Sequence, residues 1–293
     1  MIRLNYGLKL IKLTEELIKA AQELCKQGLF DFLEIYVEPS TFKKNKAALK
    51  CIDFPTVIHS PHLSDGFNIS IGGLSQTNLD RFNEVLQYAD ATCADYIIIH
   101  PGVGGNLESV NAFLAHANDE RILIENLPKF CINGYQSPSM TFPKSLKKIL
   151  PKPIKQFGKS FLQSGSKKST FDHQWCRGYF PKSIKQLMNA HDVGFCLDFG
   201  HAYKAAASLG INANQLINDF MSLGPTLFHL SDGISTEELD WHLALGDGDY
   251  DLKFLRCCIE RNPSNYVTLE TPRNNPDSFK EDINNRMKFE KSK

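Results

Sequence analysis

Nine imidazole and carboxylate side chains lie at the ends of short apolar runs or just beyond them. In the clearest case the run from Gly194 to Leu197 is closed by Asp198, and the chain passes Gly200 before reaching His201. Such runs predict strands buried on both faces, so the charged residue marks the point where the chain leaves the interior. The nine residues are His59, His100, Glu125, Asp198, His201, His229, Asp240, His242 and Glu270.

These side chains have the chemistry of metal ligands, because imidazole and carboxylate groups suit Zn²⁺ and Mn²⁺. Five imidazoles and four carboxylates exceed what one ion can hold, so the set predicts two or three ions with at least one shared carboxylate. Without metal, four crowded carboxylates would repel one another and raise each other's pKa values. A metal site therefore explains the set better than a purely structural role.

The elements that must position these ligands alternate between strand and helix. Strands are predicted at 2–6, 30–37, 56–59, 96–100, 122–125, 194–198, 227–229 and 266–270. Helices are predicted at 14–28, 79–94, 107–117, 182–190, within 202–223, at 252–261 and at the end of the chain. This order indicates parallel strands with right-handed crossovers. We therefore predict an α/β protein, one (β/α)8 TIM barrel spanning residues 1–293, with the ligands at the C-terminal mouth of the strands.

A long insertion follows the fifth strand, from about residue 128 to 180. A loop of this length is typical of an active-site lid or a mobile segment. Its lysines favour either contact with phosphate groups or a solvated surface. They are Lys144, Lys147, Lys148, Lys152, Lys155, Lys159, Lys167 and Lys168.

The other histidines have weaker interpretations, since a lone histidine is more often structural than a ligand. His62 follows His59 by three residues and is expected either to support the ligands or substrate or to lie on the surface. No catalytic role is expected for His116, His173 or His191, which fall in predicted helices or in the insertion.

Charge and cysteine usage restrict the partners. With 33 basic and 33 acidic residues the net charge is zero, so a polyanion such as DNA would need a local patch or bound metal. The eight cysteines are scattered without a C-x-x-C pair, which indicates reduced thiols in the cytoplasm. No apolar stretch approaches the roughly 18 residues of a membrane span. We expect no membrane partner and a monomer.

The ligands lie in short motifs whose order along the chain is informative. These are Val57-Ile58-His59, Ile99-His100-Pro101-Gly102, Ile124-Glu125-Asn126, Leu197-Asp198-Phe199-Gly200-His201, Phe228-His229-Leu230-Ser231-Asp232, Asp240-Trp241-His242-Leu243-Ala244-Leu245-Gly246-Asp247-Gly248 and Leu269-Glu270-Thr271-Pro272. In this order they resemble the motifs of the xylose isomerase-like TIM barrel superfamily, and most of all its endonuclease IV branch of apurinic/apyrimidinic endonucleases.

The resemblance implies a zinc-dependent hydrolase that cleaves DNA at abasic sites. It assigns His59, His100 and Glu125 to a first ion, Glu125 with Asp198, His229 and Glu270 to a second, and His201, Asp240 and His242 to a third. In this reading Glu125 bridges two ions and Glu270 orients the attacking water. Two to three zinc ions are expected, with Mn²⁺ as the other ion that suits these donors.

The chain also departs from the endonuclease IV pattern. Phe199 and Gly200 replace the usual Thr and small residue, His62 replaces a Tyr, and the loop at 38–44 lacks the Arg that the repair enzymes insert into DNA.

The same motifs also resemble those of sugar isomerases and epimerases, which gives an alternative prediction of the function. One divalent metal, held by Glu125, Asp198, His229 and Glu270, would polarise the carbonyl of a small sugar or sugar phosphate. Glu125 and Glu270 would then act as an acid–base pair. This alternative leaves the other five ligands unexplained.

Overall fold

A computed structural model of the protein describes residues 3–132 and 173–292. Its strands are β1 (Asn5–Leu10), β2 (Phe32–Tyr36), β3 (Thr56–His59), β4 (Tyr96–Ile99), β5 (Ile122–Glu125), β6 (Phe130–Ile132), β7 (His173–Trp175), β8 (Gly194–Asp198), β9 (Leu227–Leu230) and β10 (Tyr266–Leu269). All except β6 and β7 are parallel and close into a barrel in the order β1, β10, β9, β8, β5, β4, β3, β2. The predicted α/β TIM barrel is confirmed.

Nine helices are described. They are α1 (Glu15–Lys26), α2 (Phe42–Leu49), α3 (Gln76–Thr92), α4 (Leu107–Ala117), α5 (Pro181–His191), α6 (Phe199–Leu209), α7 (Ala213–Met221), α8 (Leu252–Arg261) and α9 (Lys280–Lys291). The bounds of α4 and α8 are those predicted. Helix α2 was not predicted, because it buries only Asn45 and Leu49 and so has almost no apolar periodicity.

Successive residues of each barrel strand point to opposite sides of the sheet. One set, including Leu33, Ile58 and Phe228, packs with helix residues such as Phe113 in a large apolar core. The other set forms a second, smaller cluster inside the barrel, which we call the interior layer. It consists of Phe32, Val57, Ile98, Leu123, Cys196 and Leu227, with Tyr96 and Tyr266 packed against it. The barrel interior beneath the mouth is thus filled by packed apolar side chains.

The first strand differs from its prediction. It runs over Asn5–Leu10 instead of residues 2–6, so Lys9 lies within a barrel strand. A lysine is unfavourable inside a barrel unless its charge is paired. The buried Glu34 and the partly buried Glu270 provide that pairing, as described below.

Most of the predicted insertion lies outside the described residues. β6 and β7 form a two-stranded sheet, and the basic residues from Lys144 to Lys168 belong to the part that is not described. Met1–Phe130 and Trp175–Lys293 form one compact unit. Six cysteines are free thiols: Cys25, Cys51, Cys93, Cys196, Cys257 and Cys258. Among the described helices, none combines the length and apolar character needed to cross a membrane.

Candidate metal centre

All nine predicted ligands meet at the C-terminal mouth of the barrel. Strand periodicity accounts for their common height, because several ligands follow an interior-layer residue by two positions. Val57 precedes His59 in this way, and Leu227 precedes His229. The same spacing separates Ile98 from His100, Leu123 from Glu125 and Cys196 from Asp198. Because each of these strands places such a residue two positions beyond the interior layer, closure of the barrel arranges these residues in a ring.

Glu125, at the end of β5, is the centre of this ring. Its Oε2 lies 3.0 Å from His100 Nε2 and 3.5 Å from His59 Nε2. Its Oε1 lies 3.3 Å from His201 Nδ1 and 3.3 Å from His229 Nδ1. Because its two oxygens face different sets of imidazoles, this carboxylate has the geometry of a bridge between two ion sites.

Asp198 ends β8 and caps helix α6. Its Oδ1 accepts a hydrogen bond from the His201 backbone N–H at 2.6 Å, and its own N–H donates to Asn126 Oδ1 at 2.8 Å. Its Oδ2 is buried and accepts no hydrogen bond from any described residue. A buried carboxylate oxygen without a donor is costly unless a cation binds it, so this atom fits a metal ligand.

A third group lies at the edge of the mouth. Asp240 Oδ2 is 3.4 Å from His201 Nε2 and 3.1 Å from His242 Nε2, and donor atoms of all three residues lie within 4.8 Å of one another. His242 has φ +44°, and its Nδ1 lies 3.0 Å from the Glu270 backbone oxygen. This contact links the loop ligands to the end of β10.

Asp232 organises the loop that carries Asp240 and His242. Its buried carboxylate accepts hydrogen bonds from four backbone N–H groups, with N···O distances between 2.8 and 3.2 Å. The donors are Gly233, Gly246, Gly248 and Tyr250. A Cβ at position 248 would lie 2.3 Å from Asp232 Oδ1, so only glycine allows this approach.

Glu34 and Lys9 join the site although the sequence analysis did not identify them. Glu34 is fully buried in β2, with Oε2 3.0 Å from His229 Nε2 and Oε1 3.0 Å from Lys9 Nζ. Lys9 Nζ also donates to Glu270 Oε1. One signal could have revealed Glu34, since it stands between Leu33 and Ile35 in a run that must be buried on both faces.

The weaker histidine interpretations have separate outcomes. The His62 ring is 5.0 Å from the His59 ring and 4.9 Å from the His100 ring, so His62 lies beside the ligands. His191 Nε2 lies 2.8 Å from Asn111 Oδ1, between α5 and α4, and His116 is exposed in the last turn of α4. The side chain of His173 lies outside the described residues.

Burial and mutual charge perturb the cluster strongly. Burial raises the pKa of Asp198 to about 6, against the opposing effect of His201. Burial alone would raise the pKa of Glu125, but His229 and His100 lower it well below its usual value. Burial alone would lower the pKa of His201, but Asp198 and Glu125 outweigh it and raise the pKa to about 10. A metal ion needs deprotonated imidazoles, so its binding here would release protons.

Comparison with known proteins identifies the fold. The chain matches no protein-family model and none of the curated proteins. Endonuclease IV from Thermus thermophilus has a TM-score of 0.59 at 19% identity, over 98% of each chain. A D-tagatose 3-epimerase-like protein has a TM-score of 0.58 at 15% identity, over 97% of each chain. A xylose isomerase domain protein from Alicyclobacillus acidocaldarius has a TM-score of 0.53 at 14% identity, over 99% of this chain and 98% of that chain.

The predicted resemblance to xylose isomerase-like TIM barrel proteins is therefore confirmed at the level of the fold. At these identities the likeness describes the fold alone, and it does not distinguish nuclease chemistry from sugar chemistry.

Proposed function

We propose that this protein is a metal-dependent phosphodiester hydrolase that resembles endonuclease IV and cleaves DNA at abasic sites. One observation carries the proposal: His201, Asp240 and His242 bring their donor atoms within 4.8 Å of one another, beside the ligands around Glu125. A single-metal isomerase has no use for this third group. A multinuclear hydrolase needs it to hold a further ion.

The proposed sites hold two to three Zn²⁺ ions, and Mn²⁺ is the other ion that suits these donors. They comprise His59, His100 and Glu125 for the first ion, Glu125, Asp198, His229 and Glu270 for the second, and His201, Asp240 and His242 for the third. Bound zinc would make water more acidic at neutral pH and would stabilise negative charge on the phosphodiester oxygens.

Glu270 is the residue proposed to orient the attacking water. Lys9 holds its Oε1, while Oε2 lies 3.6 Å from His242 Nδ1 on the outer side of the cluster. The Glu270 carboxylate, with 10% of its side chain exposed, would accept a proton from water as the new bond to phosphorus forms and the bond from phosphorus to the sugar oxygen breaks. Glu125, with 1% of its side chain exposed, has no such access and is assigned to bridging.

The proposed DNA contacts lie at the rim. His100 and His242 are 19% and 34% exposed, so a substrate phosphate can reach them without opening the barrel. An abasic nucleotide turned out of the helix would present only its sugar and phosphates to this mouth. Because the net charge is zero, we assign phosphate attraction to bound metal and to the lysines of the insertion.

The test combines metal counting with an abasic-site assay. Protein never exposed to chelator should contain two to three zinc ions per chain and should cut a duplex at a single abasic position. His201→Ala should lose one ion and most cleavage, whereas His116→Ala, an exposed histidine on α4, should change neither. Full cleavage by His201→Ala, or metal-loaded protein inert on this duplex, would contradict the proposal.

The alternative is a sugar or sugar-phosphate isomerase or epimerase, and one contact favours it. Glu125 Oε1 and Glu270 Oε1 both lie 3.3 Å from His229 Nδ1, which puts two carboxylates around one proposed ligand. Such a pair could add and remove a proton on either side of a sugar carbon. This enzyme would contain about one ion per chain, by its four-ligand set, and would exchange substrate hydrogen with solvent deuterium.

A further inference from the structure

A buried ion pair lies directly beneath the proposed metal centre, and apart from the contact of Lys9 with Glu270 the proposed reaction gives it no role. Lys9 on β1 and Glu34 on β2 are neighbours in the strand register, with Lys9 Nζ 3.0 Å from Glu34 Oε1. The Glu34 side chain is fully buried and that of Lys9 is 11% exposed. A buried pair of this kind contributes little net stability compared with apolar residues of similar size, so its presence calls for another reason.

The pair is connected to the metal centre through one imidazole. Glu34 Oε2 lies 3.0 Å from His229 Nε2, while His229 Nδ1 faces Glu125 and Glu270. Lys9 also donates to Glu270 Oε1. The two nitrogens of His229 therefore have different surroundings, a carboxylate below and the ligand cluster above.

The chemistry of these groups decides which nitrogen carries the proton. An ionised carboxylate is only an acceptor, and Lys9 is only a donor, so Lys9 favours the ionised form of Glu34. Glu34 then accepts the Nε2–H of His229, which leaves the lone pair of Nδ1 directed at the cluster. Carboxylates that hold a ligating imidazole in this way raise its basicity and fix its ring orientation.

We propose that Glu34, supported by Lys9, is a positioning residue that fixes the tautomer and ring orientation of His229 and so presents Nδ1 to a metal ion. The inference rests on the proposed metal centre and holds for either reaction. Direct ligation by Glu34 is the competing role, since Glu34 shares a donor group with His59, His229 and Glu270. Against it, Glu34 Oε2 lies within hydrogen-bond distance of His229 Nε2, and Oε1, although it accepts no hydrogen bond, lies 3.0 Å from the cationic Lys9 Nζ.

A charge-neutral double variant separates positioning from simple electrostatics. Glu34→Leu alone would remove a negative charge and weaken cation binding for that reason. Lys9→Met with Glu34→Leu removes one charge of each sign and keeps an apolar filling, which buried ion pairs commonly tolerate. The matched control is Arg3→Met with Asp31→Asn, which removes a neutral pair 2.5 Å apart just before the same two strands.

The measurement is zinc affinity, by competition with a chelating dye. In the Lys9→Met/Glu34→Leu variant one bound ion should weaken by about 10- to 100-fold, and the Arg3→Met/Asp31→Asn control should match the unmodified protein. A second readout needs no variant: in ¹⁵N spectra of the zinc-loaded protein, the His229 ring should carry its proton on Nε2. The ¹⁵N resonances of the His229 ring are identified because they are missing from the spectrum of His229→Gln.

The outcomes are distinguishable from failure of the proposed function. If the unmodified protein binds no zinc, the metal centre and the proposed function both fail. If it binds zinc and the Lys9→Met/Glu34→Leu variant binds equally tightly, the positioning role is wrong while the proposed function stands. Spectra in which zinc binds His229 Nε2 and the proton lies on Nδ1 would also overturn the inference. Because these spectra need only the unmodified protein, this test applies even if the Lys9→Met/Glu34→Leu variant does not fold.

Discussion

The floor and the rim of the proposed metal centre are built differently. The floor ligands His59, Glu125 and His229 lie on barrel strands, and at most 1% of each side chain is exposed. The rim ligands Asp240 and His242 lie on a loop, and 34% of the His242 side chain is exposed. Strand ligands are held by the sheet and the interior layer, whereas loop ligands depend on hydrogen bonds to Asp232 and to the Glu270 backbone.

This contrast separates two tasks that one cluster must perform. Buried charges are tolerated only while they are paired, so in the proposed centre metal binding by the floor residues would be coupled to folding. Exposed ligands can change partners at little structural cost, so the rim is where a substrate can enter. Substitutions in the floor should therefore affect stability and metal content together, and substitutions in the rim should affect mainly metal content and activity.

The largest effect is expected for Glu125→Ala, in the floor. In metal-free protein this change leaves four imidazoles without their shared carboxylate and should lower the free energy of unfolding by about 3–5 kcal/mol. Urea unfolding with excess chelator measures the change. Glu120→Ala, an exposed glutamate just before β5, is the control. A loss below about 1 kcal/mol for Glu125→Ala would remove the contrast between floor and rim.

The next effect is the stabilisation that each single zinc ion adds. Zinc at 100 times its dissociation constant should stabilise the folded protein by about 2.7 kcal/mol for each ion that binds only the folded state. Thermal unfolding with zinc and with chelator measures this difference. His242→Ala should lose only the contribution of the rim ion. If the variant loses all stabilisation by zinc, floor and rim do not bind ions separately.

A smaller effect is the pH dependence of folding stability that is due to His242 in the rim. Partial burial would lower the pKa of His242, but Asp240 outweighs it and raises the pKa to about 9. A raised pKa stabilises the folded state below the unfolded-state pKa of about 6.5, and this stabilisation is lost as the pH rises through the folded-state value. Metal-free protein should therefore lose stability between about pH 6.5 and 9. The loss should be smaller in His242→Gln, and equal slopes for the two proteins would exclude this pair as its source.

The smallest effect is expected away from the mouth. His191→Ala removes a hydrogen bond to Asn111 between two helices and should cost about 1 kcal/mol of stability. Its zinc content and catalytic activity should equal those of the unmodified protein. A change in either would mean that the cluster extends beyond the mouth.

The sequence by itself determined the barrel and the place where most of the proposed ligands meet. A charged residue can follow a buried strand only where the strand leaves the interior, so the positions of His59, Glu125 and Asp198 along the chain are enough to locate the mouth. Helices α4 and α8 were equally readable, because their apolar faces repeat at helical spacing.

Only the tertiary structure decided the roles of Lys9 and Glu34. Each is unfavourable in a buried strand when considered alone, and local patterns contain no information about a partner on another strand. The parallel register of β1 and β2 places the two charges side by side, and closure of the barrel brings His229 to the same point. These buried charges are tolerable only because they pair across strands. Lys9 and Glu34 lie on different strands, so no single strand sequence shows that they are partners.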